Sequence, residues 1–115
     1  MIMLRYAEIE EDSPTDARDR ERQLLDRSIE LLTAAEQKGA KSFESVEAIH
    51  FTIRLWSMLL EDLANDENAL PKELRASLIS IGIWILRESD AIRQGESENF
   101  KGILEISKII RDGVE

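Results

Sequence analysis

The chain contains no cysteine, one histidine, two prolines and six aromatic residues in 115 positions. Without cysteine there is no disulfide framework and no thiolate metal site, which suits a reducing compartment. A single histidine leaves little for metal ligation or acid–base chemistry. No apolar stretch approaches the ~20 residues of a membrane span. The longest such run, Ile81 to Leu86, is bounded by Ser80 and Arg87. Met1 to Leu4 is apolar, but Arg5, Glu8, Glu10, Glu11 and Asp12 follow at once, so no secretory apolar region forms. The expectation is a soluble, cytoplasmic protein.

Basic residues are also in the minority. Fifteen Lys and Arg face 24 Asp and Glu, a formal net charge of -9. Such a chain repels phosphate backbones and anionic membranes, which argues against direct contact with either. Its length suits one domain able to bury roughly two-thirds of its unfolded surface.

What is present is helical punctuation. Ser13-Pro14-Thr15-Asp16 reads as an N-cap, a first-turn proline and a first-turn acid. The helix they open closes near Lys38 and Gly39. Leu24, Leu25, Ile29, Leu31, Leu32 and Ala35 make its apolar stripe. Arg18, Arg20, Glu21, Arg22, Asp26 and Glu30 read as its solvated face. A second helix, Ser42 to about Ala64, is apolar on most sides and leaves only a narrow polar edge. A helix of that kind is central to a core or awaits a partner.

The third helix starts around Leu70-Pro71-Lys72-Glu73 and closes at Gly95. Leu74, Leu78, Ile81 and Ile85 form one stripe, and Ile79, Ile83 and Leu86 an adjacent one. Gly82 among them costs about 1 kcal/mol relative to Ala, a cost that close packing of a neighbouring helix would justify. Ser97 reads as the cap of a fourth helix reaching about Arg111, with Phe100, Ile103, Leu104, Ile106, Ile109 and Ile110 as its stripe. Short gaps make neighbours antiparallel. The predicted fold is all-α: a single four-helix up-down bundle over residues 13–115, preceded by an extended segment, 1–12, whose Leu4, Tyr6 and Ile9 can drape over it.

The search for chemistry yields little. No Gly-rich phosphate loop or converging ligand set exists, so no catalytic residue, metal or cofactor is expected. Glu47 and His50 supply one Glu-x-x-His element where a di-metal bundle needs two. His50 also invites comparison with histidine phosphotransfer domains, where the imidazole must be exposed. Its neighbours Ile49, Phe51 and Ile53 favour a partly buried structural histidine at the helix edge, with phosphotransfer as the remote alternative. Trp56 and Trp84 have two open readings: core fillers, or anchors lining a groove. The surplus of apolar residues on the middle helices favours a protein-binding role. The expected groove lies between them, bordered by Phe51, Leu55, Trp56, Leu59, Ile81 and Trp84. The same surplus would serve a homodimer face, so the oligomeric state stays open.

Several stretches carry a family likeness. They are His50-Phe51 through Leu55-Trp56, Glu61-Asp62-Leu63, Asn68-Ala69-Leu70-Pro71, Leu74-Arg75 and Ser80-Ile81-Gly82-Ile83-Trp84. Gly95-Glu96-Ser97, Phe100 and Ile106 to Gly113 continue it. So do Tyr6-Ala7-Glu8 and the run Ala17 to Arg22 near the start. Together they resemble the flagellar biosynthesis regulator family FlaF of alphaproteobacteria, over nearly the whole chain. The resemblance implies a non-enzymatic role promoting flagellin synthesis and export, as a cytoplasmic chaperone binding a terminal helical segment of flagellin, in concert with the translation regulator FlbT. The alternative it leaves is post-transcriptional control through FlbT or flagellin mRNA.

Overall fold

In the computed structural model, residues 14–113 are described, and the segment 1–12 lies outside them. Four helices occupy nearly all of this span: α1 (Pro14–Lys38), α2 (Phe43–Ala64), α3 (Lys72–Arg93) and α4 (Phe100–Gly113). No strand occurs among the described residues. The predicted all-α four-helix bundle is what forms.

Local chemistry sets the boundaries. Gly39 takes φ +99°, a backbone that favours glycine, and its N–H donates to Ala35 O at 2.8 Å to end α1. Ser42 caps α2, its Oγ accepting from Ser45 N at 3.1 Å. The α2–α3 connection is tied at both ends. Asn68, almost fully buried, donates through Nδ2 to Asp62 and accepts from Leu70 N at 2.9 Å. Arg75 Nε donates to Leu63 O at 3.1 Å, satisfying an end carbonyl of α2. Pro71 stands at the N-cap of α3, one position outside the helix.

Ser97 does not cap α4. Its hydroxyl donates to Glu88 Oε1 at 2.5 Å and accepts from Asn99 N at 3.1 Å, pinning the connection to α3. The capping oxygen is Oδ1 of Asn99, which accepts from Gly102 N at 3.0 Å. Asn99 does the work expected of Ser97 because it directly precedes Phe100, where the helix starts, while the Ser97 hydroxyl is taken by Glu88.

The helices pack in the spatial order α3, α2, α1, α4, and extensive backbone contact stops there. One core runs through all four, from Leu25, Leu32 and Ala35 through Trp56, Leu59 and Leu63 to Ile85, Ile92, Phe100 and Ile103. A buried Ser28–Thr52 hydroxyl bond of 3.1 Å joins α1 to α2 within it. At opposite ends of the series, α3 and α4 share this core without closing against each other.

Three expectations are corrected by burial. Glu21 is 2% exposed, so it does not belong to a solvated face of α1. Asp26 of that same face is partly covered, because Arg111 of α4 pairs with it at 3.1 Å. Leu74 and Ile83 are exposed on α3, where the buried line is Leu78, Gly82, Ile85, Ser89 and Ile92. The small side of α3, marked by Gly82 and Ser89, therefore faces inward.

Candidate apolar docking grooves

The α2–α3 seam is closed. A Cβ on Gly82 would stand 2.8 Å from Leu60 Cδ2 and 3.0 Å from Trp56 Cε3. Glycine is what lets the two helices approach this closely, the packing reason anticipated for it. Trp56 is fully buried here, and its Nε1 finds no hydrogen-bond partner among the described residues, so shape alone seats the indole.

Of the six residues expected to border one α2–α3 groove, Leu55, Trp56 and Leu59 are therefore core, at 4%, 0% and 1% exposure. The other three divide between different surfaces. Ile81 and Trp84 turn to the α4 side of α3, and Phe51 turns to the α1 side of α2. The two tryptophans thus separate: Trp56 fills space and Trp84 is 40% exposed.

The α3–α4 seam holds an apolar groove of about 470 Å³. Ser80, Ile81 and Trp84 form one wall, with Gly102, Glu105, Ile106 and Ile109 on the other. Ile109 is 66% exposed, an unusual position for isoleucine on a capped, regular helix. Helical spacing alone puts Ile106 and Ile109 in the apolar stripe of α4. The signal that separates them is angular: at 100° per residue, Ile109 falls roughly 150° from the middle of the line Phe100, Ile103, Leu104, Ser107 and Ile110. The last five are all buried.

A second groove, of about 570 Å³, runs between α1 and α2. Leu24, Leu31, Phe51, Leu55 and Met58 are its apolar residues. Arg27, Glu47, His50 and Arg54 line it with charge and polarity. His50 is exposed here, not partly buried, because the inward face of α2 is taken by Ser45, Ala48, Ile49, Thr52, Leu55 and Trp56. Exposure meets one requirement of a phosphotransfer histidine, and the groove beside the ring combines Phe51 and Met58 with Arg27 and Arg54.

The Arg111 guanidinium is raised above its ordinary value by its hydrogen bonds to Asp26 and Asp112. That holds a charge already present at neutral pH and joins α4 to α1. No group of three or more metal-ligating side chains converges among the described residues, and no helix there is long and apolar enough to cross a membrane.

These features define the protein's class as a small all-α bundle with two grooves lined mainly by apolar side chains. Its family is more specific: residues 3–114 match the family described as flagellar protein FlaF, so the chain belongs to that family and is a flagellar protein. No curated protein and no solved structure gives a match.

Proposed function

We propose that this FlaF family member binds flagellin before assembly, seating an amphipathic helical segment of it in the α3–α4 groove, and so promotes flagellin export. One observation carries the choice of groove. The seam between α3 and α4 is open, nearly free of charge, and lipped by the exposed side chains of Trp84 and Ile109. An apolar helical stripe needs such a trough, and tryptophan is a frequent anchor at such surfaces. Water leaving both apolar faces supplies the driving force. The net charge of -9 keeps a protein with this much exposed apolar surface in solution.

The test is a titration of monomeric flagellin against the protein and its Trp84→Ala and Ile109→Asp variants. Circular dichroism checks that each variant is folded. Both substitutions should weaken binding by about tenfold or more, a loss of ~1.4 kcal/mol. Unchanged affinity in folded variants removes the site from this groove. A route through FlbT gives a different result: FlbT, and not flagellin, is retained by the immobilised protein.

A further inference from the structure

We propose that the α1–α2 groove is a second docking site, independent of the α3–α4 groove, and that it takes an amphipathic helix of another protein carrying carboxylates beside its apolar stripe. Over the whole chain, basic residues are outnumbered 15 to 24. The residues lining this groove are an exception: Arg27 and Arg54 against Glu47, with His50 between and Glu30 beside Arg27 at the margin. The α3–α4 groove has the opposite sign, with Glu105 as its one charged residue.

The cations are also placed to act together. Arg27 belongs to α1 and Arg54 to α2, so one stands on each wall. Both are exposed, and Arg27 already holds Glu30 at 3.3 Å, a carboxylate geometry that an incoming side chain can share or replace. Guanidinium suits this use because its planar fork donates two parallel N–H bonds to one carboxylate. Between the walls, Phe51 and Met58 are two turns apart on α2, and Met58 is 41% exposed. That spacing matches the repeat of an amphipathic helix laid along the trough, and methionine adapts its shape to the occupant. An acidic chain that repels most acidic partners therefore keeps a place where carboxylates are attracted and apolar anchors are received.

The test uses two synthetic helical peptides with the same leucine stripe, one flanked by glutamates and the other by lysines, titrated against the full chain by fluorescence anisotropy. The glutamate peptide should bind at least tenfold more tightly, and the preference should shrink at high salt. Arg54→Glu should abolish the preference, and Met58→Asp should weaken the glutamate peptide tenfold or more. Trp84→Ala should leave it unchanged. Equal binding of both peptides overturns the proposal. So does a loss caused by Trp84→Ala and not by Met58→Asp, which puts the peptide between α3 and α4. Self-association that Met58→Asp abolishes, without peptide binding, puts a second copy in the groove and overturns it as well. Loss of flagellin binding in Trp84→Ala with the peptide preference intact keeps the two sites distinct.

Discussion

Helix α3 has two seams, and they are opposites. Toward α2 it presents Gly82 and Ser89, and the neighbouring Trp56 and Leu60 close on it until a methyl group at position 82 would have to push Leu60 aside. Toward α4 it presents Ile81 and Trp84, and the groove between them stays open. Small residues thus produce contact, and large ones on the open side remain for something else to cover. The lesson is that exposed apolar area here follows from packing order: in the series α3, α2, α1, α4 the end helices share a core but lack a common wall.

Truncation in the closed seam should produce the largest effect. Trp56→Ala removes the largest fully buried side chain and should cost about 3–5 kcal/mol in denaturant unfolding. Trp84→Ala should cost roughly half as much in the same experiment, because two-fifths of its surface already meets water. Equal losses would erase the distinction between the seams. Next comes Gly82→Ala. Overpacking costs about 1–3 kcal/mol, and the gain in helix propensity returns up to about 1. A net destabilisation is expected, and Leu60→Ala in the same chain should relieve it, since Leu60 Cδ2 is the nearest atom. A net gain would mean that the seam is looser than its distances imply.

Asn99→Ala sharpens the comparison from the other side. It removes the cap of α4 and should cost about 1 kcal/mol. Gly102 lies in the first turn of α4 and lines the open groove, so flagellin affinity should fall too. The smallest effect is expected for Arg111→Ala. The pair with Asp26 is partly solvated, so the unfolding midpoint should move slightly at low salt and not at high salt.

Much of the fold was legible in the sequence, because caps and glycines act locally. Ser42, Gly39 and Gly95 end or begin helices where their chemistry says they should. Gly82 was readable as a packing residue for the same reason. The site was less legible. Periodicity ranks positions around one helix, but which flank stays open depends on the order in which helices pack. Trp56 and Trp84 belong to comparable apolar stretches, yet one is enclosed by α3 and the other meets α4 only across a groove. Glu21 shows the same limit: its charge marked it as solvated, and tertiary packing buried it. The exposed Ile109 was findable, since its angle departs from the buried line of α4.

The claim that the open seam holds flagellin is tested most directly by site-specific photocross-linking. A benzophenone side chain is placed at position 109 in one variant and at position 58 in another, and each is irradiated with flagellin monomers. The expected result is a flagellin adduct from position 109 that disappears when Trp84 is also changed to Ala, and little adduct from position 58. Adduct formation from position 58 alone, or from neither position while flagellin still binds, would contradict it.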